Sequence, residues 1–368
     1  MSANYKKLGD YITQRREKNT AINLPICGVC REGLIPPKQQ DADISLYNVF
    51  YKNDFIFNPA RMELNSITLN TEYDKAICSS LYEIFYINDT SKLLPEFLFV
   101  QLKTDNFVRF CEFQGQGSVR EYCRFANISE YPVIVPDLKE QEKIVNTYNV
   151  ITKRIQLKQK INENLEKTAQ CLFENVFKHE LQKEEISFTD VIDLLGGGTP
   201  STAEKAYWSG NIPFFAPADI EKSIFCFSTE KNLTEEGLNN CSSKLYPKNT
   251  TFVTCRGTVG KLALAGTPMA MNQSCYALKD KNGQYPFFTY SFAKFTVSKL
   301  KNKASGAVFS ALVTKDFEME KVFNPNLEKM KEYETKSSSI FENISSNEKE
   351  IAKLQELKQL VISRISEI

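Results

Sequence analysis

Phe113, Gly115 and Gly117 have the F-x-G-x-G spacing of a loop that binds S-adenosylmethionine in DNA methyltransferases. Such a loop should follow a strand and open a helix, because helix-terminal amides and a close glycine backbone then meet the cofactor. Here the motif follows an aromatic segment that we predict to be helical. Methyl transfer to an exocyclic amine also needs an Asn- or Asp-Pro-Pro-aromatic tetrapeptide, which neither Asn58–Arg61 nor Asn324–Leu327 supplies. We interpret the motif as a glycine turn and expect no cofactor on this chain.

Three other patterns could indicate catalysis, and each has a simpler explanation. The segment from Gly257 to Lys261 is two residues too short for a phosphate-binding G-x-x-x-x-G-K loop, and no Ser or Thr follows the lysine. Asp137 stands next to a proline where a helix should start, so helix capping explains it better than a nuclease carboxylate set. The one histidine, His179, lies in a predicted helix, which leaves little room for histidine-based catalysis. We therefore expect no catalytic residues.

Ten cysteines are scattered along the chain, mostly within apolar or aromatic runs, which suits reduced, buried thiols better than a disulfide framework. Cys27 and Cys30 form the one C-x-x-C pair, whereas a zinc site needs a second pair. The other ligands would have to be isolated thiols such as Cys111 and Cys123. We therefore expect no metal site.

Length and composition indicate a folded chain with more than one core. Its 368 residues exceed the size at which a single core usually stops growing, and its 42% hydrophobic and 25% charged content is ordinary for a globular protein. The formal net charge is +1, so any binding of nucleic acid must come from local clusters of Lys and Arg. The first residues lack the apolar core of a signal peptide, and no window is apolar enough to span a membrane, so we predict a cytoplasmic protein.

Two stretches have the pattern of long helices. Residues 139–181 contain no Pro or Gly, and two mainly apolar series recur there every seven residues. The second stretch covers 327–368 and has two such series. Each is preceded by a proline and has acidic residues in its first turns, as helix starts prefer. The first series is Ile144, Ile151, Lys158, Leu165 and Leu172.

The remaining segments, 1–138 and 186–326, read as mixed strand and helix, because β-branched and aromatic runs alternate with turn residues. Their local order is the same: a Leu-Tyr pair before a strand, a strand with Ser and Tyr, an aromatic helix, a glycine segment, and a strand that leads into the long helix. This internal repeat indicates two similar modules. We therefore predict four parts, 1–138, 139–185, 186–326 and 327–368.

The segment Gly197–Ser201, which reads GGTPS, is followed by Tyr207-Trp208 and by Ile212–Phe214. Together with the repeat, the paired helices and the segment 128–145, which carries a proline and then Glu-Gln at the helix start, the chain resembles the specificity subunit of type I restriction-modification enzymes. The resemblance covers nearly the whole chain. It departs from the family at the second helix start, which lacks the Glu-Gln pair, and in the first mixed segment, which lacks the glycine motif.

This resemblance implies an α+β fold in which two similar mixed α/β target-recognition domains, 1–138 and 186–326, are separated by two long antiparallel helices forming a coiled coil. Each domain would read one half of a split site in double-stranded DNA. Two methyltransferase subunits would dock on the helices, restriction subunits would join the complex, and the specificity subunit would not itself be catalytic. The alternatives are a stand-alone DNA methyltransferase or nuclease, and a helical adaptor without DNA binding.

Antiparallel alignment of the two helices predicts which residues face each other. Paired numbers should add to roughly 507, which places Asn347 opposite Lys158 or Asn162, and Lys358 near Tyr148. We expect Asn347 to fix the register of the pair, since a polar layer inside an apolar seam costs stability but sets alignment. A helix of about 42 residues spans about 60 Å, more than one turn of DNA. We expect an outward docking surface on these helices at Leu157, Ile161, Phe173, Phe177, Leu357 and Leu360.

Basic and amide side chains in turns and glycine-rich segments are the candidates for DNA contact, because Arg and Lys hold phosphates while Arg, Asn and Gln can also read base edges. In the first mixed segment the candidates are Arg31, Lys38, Arg61, Arg120 and Arg124. In the second they are Thr199, Ser201, Lys205, Arg256, Lys261, Asn272 and Gln273.

Overall fold

A computed structural model of the chain describes residues 5–31, 33–37, 43–115, 122–220, 223–303 and 311–365. The contacts divide the chain into two compact units, Met1–Ile155 with Leu354–Ile368 (unit 1) and Gln156–Lys353 (unit 2). Each unit therefore contains one mixed segment and parts of both long helices. None of the described helices combines the length and the apolar character needed to cross a membrane.

The described part of the chain contains nine α-helices, of which two are much longer than the rest. They are α1 Pro95–Gln101, α2 Asp105–Gly115, α3 Phe125–Ser129, α4 Leu138–Val176, α5 Phe188–Val191, α6 Glu235–Asn239, α7 Pro286–Lys303, α8 Thr314–Met319 and α9 Leu327–Ile365.

The strands of the described residues are short, and all of them lie in the two mixed segments, where they form small sheets. In the first segment they are β1 Lys6–Lys7, β2 Ile12–Arg15, β3 Ile26–Cys30, β4 Gly33–Ile35, β5 Asn48–Tyr51, β6 Phe55–Phe57, β7 Ile67–Leu69, β8 Lys75–Cys78, β9 Glu83–Ile87 and β10 Pro132–Val133. In the second they are β11 Ile186–Ser187, β12 Ile192–Gly196, β13 Trp208–Phe215, β14 Phe225–Cys226, β15 Asn232–Leu233, β16 Thr251–Thr254, β17 Leu262–Ala265, β18 Ala270–Met271, β19 Cys275–Asp280 and β20 Lys321–Val322.

The two units have the same strand order. Unit 1 has a sheet of order β2-β9-β6-β7, and unit 2 has β12-β19-β16-β17 with β14 added at the edge. A second sheet holds the parallel pair β3 and β8 in unit 1 and the parallel pair β13 and β18 in unit 2. In each unit a two-stranded ladder, β1 with β10 or β11 with β20, joins the start of the segment to its end. The predicted internal repeat is confirmed.

Both long helices begin in the same way. The side chain of Asp137 accepts a hydrogen bond from the backbone N–H of Glu140 (2.9 Å), and Asn326 accepts one from Glu328 (2.8 Å). These caps satisfy backbone donors that a helix start leaves without an intrahelical partner. Each helix is 39 residues long as described. Helix α4 ends at Val176, five residues earlier than the pattern predicted, and the chain continues in turns.

The two helices run antiparallel within each unit, as predicted. In unit 2 the amide of Asn347 lies between Asn162 and Lys158, and in unit 1 the ammonium of Lys358 lies 4.6 Å from the ring centre of Tyr148. Each pair of numbers adds to roughly 507, so the predicted register is confirmed. The predicted fold class is confirmed as well: the fold is α+β, with two similar mixed units and two long antiparallel helices.

The apolar cores show where one prediction was wrong. Leu157, Ile161, Leu357 and Leu360 are exposed, as expected for an outward surface. Phe173 and Phe177 are fully buried, because α7 and Phe323, the residue that follows β20, cover that side of the helix pair. These two residues are part of the core of unit 2. The four other aromatic residues whose rings contact Phe173 or Phe177 are Phe288, Phe295, Phe323 and Tyr333.

Candidate nucleic-acid interface

In unit 1, the turn after β6 presents an exposed arginine. Asn58 begins this turn, and its side chain accepts a hydrogen bond from the backbone N–H of Ala60 (3.1 Å). Asn65 closes it in the left-handed region with φ of 52°, and its side chain donates to the carbonyl of Leu102 (2.8 Å). Arg61, at φ of −141°, interrupts the short 3-10 helix between them. The two ends of the turn are therefore fixed, while the guanidinium of Arg61 is exposed.

A cavity of about 840 Å³ lies beside this turn in unit 1. Arg31, Arg61, Asn58, Tyr82 and Tyr122 are among its lining residues. Burial raises the pKa of Tyr82, and the nearby Arg61 guanidinium opposes that rise. Cationic, amide and aromatic groups therefore share one concave surface, which is the set of groups that contacts phosphates, base edges and base faces.

The other candidates of the first segment have different surroundings. Arg124 forms an ion pair with Glu83 at 3.4 Å, and its guanidinium lies 5.2 Å from the ring centre of Tyr122. The carbonyl of Arg31 accepts a hydrogen bond from the ammonium of Lys103 (2.9 Å), which fixes the backbone at the cavity rim. Lys38 and Arg120, like Gly117 of the F-x-G-x-G motif, lie outside the described residues.

In unit 2, the glycine motif is a strap packed tightly on a neighbouring turn. A Cβ atom on Gly197 would clash with the carbonyl of Asn272, and one on Gly198 would clash with Ser242. The hydroxyl of Tyr246 donates to the carbonyl of Gly196 (2.9 Å) and so holds the strap from the other side. Glycine is needed here for close backbone approach. The strap brings the hydroxyl of Thr199 into a hydrogen bond with the side chain of Gln273.

Arg256 lies next to the same turn. The backbone N–H of Cys255 donates to the carbonyl of Ser274 (2.8 Å), so the first residues after β16 lie alongside the turn before β19. Arg256 follows at the tip of the β16 to β17 loop, and its side chain is exposed. The structure therefore brings together Thr199, Arg256, Asn272 and Gln273.

The last three candidates lie at different places. The carbonyl of Ser201 accepts a hydrogen bond from the indole of Trp208 (3.1 Å), and Lys205 is exposed in the 3-10 helix before Trp208. Lys261 lines a separate cavity of about 350 Å³ together with Lys294 and Lys301 of α7. Contact of Lys261 with DNA remains a prediction, and so does DNA contact by each of the other candidates.

The groups around Arg61 in unit 1 and around Arg256 in unit 2, called the two clusters below, occupy equivalent positions in the repeat. Arg61 and Arg256 follow the equivalent strands β6 and β16, and Ser79 and Gln273 lie in the equivalent turns before β9 and β19. The sequence analysis missed the tyrosines of the unit 1 cavity, Tyr82 and Tyr122. The segment "SSLYE", residues 79–83, can be aligned with "NQSCY", residues 272–276. This alignment places the turn before β9 opposite the turn that contains Gln273, and so would have directed attention to Tyr82.

Two units with one topology present basic and amide groups at equivalent edges. This arrangement is that of a duplicated recognition scaffold. The protein family described as "Type I restriction modification DNA specificity domain" matches residues 35–167 and 181–360 of the chain. The chain belongs to this family, and the resemblance inferred from the sequence is confirmed, together with the class of function that the family defines, DNA specificity in a type I restriction-modification system.

Individual relatives agree with this assignment. The chain is 31% identical over 164 residues to the type I restriction enzyme MjaIX specificity subunit of Methanocaldococcus jannaschii, an alignment covering 44% of this chain and 38% of that protein. It is 22% identical over 376 residues to the HindI specificity subunit of Haemophilus influenzae, covering 81% and 82%. The crystal structure of the S subunit of a type I restriction-modification system from M. genitalium has a similar fold, with a TM-score of 0.62, 13% identity, and coverage of 99% and 96%.

Proposed function

We propose that this chain is a DNA-reading subunit without catalytic residues of its own, and that each of its two target-recognition domains, 1–138 and 186–326, reads one half of a split duplex site. The segments 139–185 and 327–368 act as spacer helices. The observation that carries the proposal is the equivalent placement of Arg61 and Arg256 in the two units, each beside amide or hydroxyl side chains.

The residue types in the two clusters support contacts both to the phosphates of DNA and to the edges of its bases. Arginine can hold a phosphate or contact guanine through two hydrogen bonds, and Asn or Gln can do the same with adenine. Unit 2 offers Arg256 with Asn272 and Gln273, and unit 1 offers Arg31 and Arg61 with Asn58. Because the whole chain has a net charge of only +1, binding depends on these local groups and not on overall charge.

The proposed partners are two methyltransferase subunits and the restriction subunits of the same system. S-adenosylmethionine would be bound by the methyltransferase partners. Exposed large apolar side chains that lie together are typical of interaction surfaces. Docking on the long helices is therefore supported by the exposed Leu157 and Ile161 on α4 and by the exposed Leu357 and Leu360 on α9. The proposed site of action is the cytoplasm, where the DNA substrate is.

Binding of the assembled complex to its cognate duplex tests this proposal. Arg61→Ala and Arg256→Ala should each weaken binding by about tenfold to a hundredfold, the range expected for losing a good arginine contact. Lys52→Ala and Lys315→Ala remove the same charge from exposed positions elsewhere in the two mixed segments and serve as controls. Unchanged affinity of both arginine variants at low and moderate salt would contradict the placement of the interface.

The two alternatives have distinct outcomes. A stand-alone methyltransferase would transfer methyl groups with the purified chain alone, which we expect not to occur. A helical adaptor without DNA binding would give no retention of duplex even with the partner subunits present.

A further inference from the structure

Two turns of unit 1 each expose a leucine on the surface that also carries Arg61. Leu64 lies three residues after Arg61, in the turn after β6, and is 57% exposed. Leu81 lies in the turn that joins β8 to β9 and is 75% exposed. Leu64, Leu81 and Arg61 line the same concave surface. Large apolar side chains that are exposed together are typical of binding surfaces.

Hydrogen bonds fix the backbone of the turn that carries Leu81. The backbone N–H of Leu81 donates to the hydroxyl of Ser79 (3.3 Å), and that of Tyr82 donates to the carbonyl of Ser79 (3.0 Å). The carbonyl of Tyr82 accepts a hydrogen bond from the side-chain amide of Asn48 (2.8 Å). Since apolar stabilisation is proportional to the area buried, a leucine with this exposure contributes little to the core of unit 1. Packing therefore does not require a leucine at this position.

Unit 2 contains the same turn with a different side chain at its tip. The backbone N–H of Ser274 donates to the side chain of Asn272 (2.9 Å), and that of Cys275 donates to the carbonyl of Asn272 (3.4 Å). This is the hydrogen-bond pattern of the Leu81 turn, so Ser274 corresponds to Leu81. The tip carries a leucine in unit 1, and a serine beside Gln273 in unit 2.

The turn that carries Leu64 also has a counterpart in unit 2. Four residues after the arginine, Asn65 in unit 1 and Gly260 in unit 2 have left-handed backbone, with φ of 52° and 70°. Leu64 therefore corresponds to Val259, which packs against the core of unit 2. At both positions unit 1 exposes a leucine where unit 2 has a small polar residue or a residue packed on its core.

The chemistry of a leucine limits which feature of DNA it can distinguish. Its side chain has no hydrogen-bond donor or acceptor, so it cannot read the polar groups at base edges. The 5-methyl group of thymine is the apolar feature that an A·T pair presents in the major groove, and apolar side chains recognise it by direct contact.

We propose that Leu81, together with Leu64, is a specificity-determining residue that contacts the 5-methyl group of a thymine in the half-site read by unit 1. The corresponding turn of unit 2 discriminates by hydrogen bonds from Asn272 and Gln273. The thymine contact presupposes the proposed function, because it belongs to the same DNA interface. The two half-sites are then read by different chemistry at equivalent turns.

Replacing thymine by uracil tests the contact, because uracil lacks only the 5-methyl group and keeps the same base pairing. Methylation mapping supplies the split motif, and Arg61→Ala identifies the half read by unit 1. Duplexes in which each thymine of that half is replaced in turn are titrated with the assembled complex. We expect one position at which uracil weakens binding by about fourfold, the fold-change for losing the contact of about one methyl group. Uracil in the gap between the halves is the control and should leave binding unchanged.

Variants of the chain assign the preference to the leucines. The Leu81→Ala complex should bind the thymine and uracil duplexes equally, whereas Leu81→Met keeps an apolar contact and should keep the preference. Leu64→Ala should lower the preference without removing it. Met319→Ala removes an apolar side chain that is 68% exposed on α8 of unit 2 and should leave the preference at the wild-type value.

Four results would overturn the proposal. They are a unit 1 half-site without an A·T pair, uracil duplexes that bind as tightly as thymine duplexes at every position, a thymine preference that persists in Leu81→Ala, and a Leu81→Ala defect confined to assembly with partner subunits. The last would assign the leucine to a protein contact. Failure of the proposed function gives a different result, because the wild-type complex would then retain neither duplex.

Discussion

Two carboxylates of α9 should make unit 2 less stable as the pH rises. The carboxylate of Glu334 accepts hydrogen bonds from the backbone N–H groups of Phe287 (3.1 Å) and Phe288 (2.9 Å) at the start of α7. Glu348 accepts two from Ile224 (2.8 Å) and Phe225 (2.9 Å). Burial raises the pKa of each carboxyl from 4.5 to about 7, against the opposing effect of these donors.

The sign and size of the effect follow from proton linkage. A group whose pKa is higher in the folded chain holds its proton more tightly there, so its contribution is fully present below pH 4.5 and is lost as the pH rises through 7. A rise from 4.5 to about 7 corresponds to roughly 3 kcal/mol for one carboxyl. Because both side chains are only half-buried, solvent screening reduces this to about 2 kcal/mol each.

Urea unfolding between pH 5 and pH 8 measures the effect, with the fluorescence of Trp208, the one tryptophan of the chain, as a probe within unit 2. We expect the free energy of unfolding to fall by about 2 to 3 kcal/mol over this range, since part of the contribution is already lost at pH 5, and the urea midpoint to fall by about 1 M. Glu334→Gln with Glu348→Gln keeps acceptors for the backbone donors and should remove most of the slope. A wild-type stability that is constant or rises with pH, or a double variant with the wild-type slope, would refute the reasoning.

Three further substitutions have defined outcomes in the same unfolding assay. Asn347→Ala removes hydrogen bonds of 2.7 Å and 2.8 Å from the helix pair and should cost about 2 kcal/mol, whereas Asn343→Ala on the exposed face of α9 should cost less than about 0.5 kcal/mol. Gly197→Ala should destabilise unit 2 by more than about 2 kcal/mol because its Cβ would meet backbone, while Gly196→Ala, which has open space, should be nearly neutral. Gln141→Ala should cost about 2 to 3 kcal/mol, since three backbone groups lose a partner.

Matched pairs make the first two of these predictions decisive, and the wild type is the reference for the third. Equal losses for Asn347→Ala and Asn343→Ala would contradict a role of the polar layer in holding the helices. Equal behaviour of Gly197→Ala and Gly196→Ala would contradict the close packing of the strap. Wild-type stability of Gln141→Ala would show that the start of α1 does not depend on this side chain.

The sequence was sufficient for the helices, the repeat and the register, because these depend on periodicity and local order. Seven-residue spacing identified the seam, and antiparallel alignment placed Asn347 opposite Lys158 and Asn162. It also placed Lys358 beside Tyr148. Such patterns report which residues share a helix face.

Periodicity does not report which third element covers a face, and this limited the remaining predictions. Phe173 and Phe177 were expected to face outward, yet α7 packs over them. The second helix start has Met330 where the first has Gln141, and Glu334, one turn further on, caps α7 as Gln141 caps α1. The position of a cap depends on where the partner helix starts in space, which spacing along one chain does not encode.

The arrangement of the candidate DNA contacts was predictable only in part. Residue types in turns selected Arg61, Arg256 and Gln273, and the repeat places the two arginines at equivalent edges. The clustering of Thr199 with Gln273 depends on the close contact of the glycine strap with the facing turn, a tertiary contact that the motif alone does not specify.

Mapping of methylated DNA positions across the genome, in strains with and without this gene, tests the central claim most directly. The account predicts that one split motif, with two defined halves and a fixed gap, is methylated only when the gene is present, and that Arg61→Ala and Arg256→Ala relax recognition at different halves. A methylation pattern that does not depend on the gene, or one continuous motif affected alike by both variants, would contradict it.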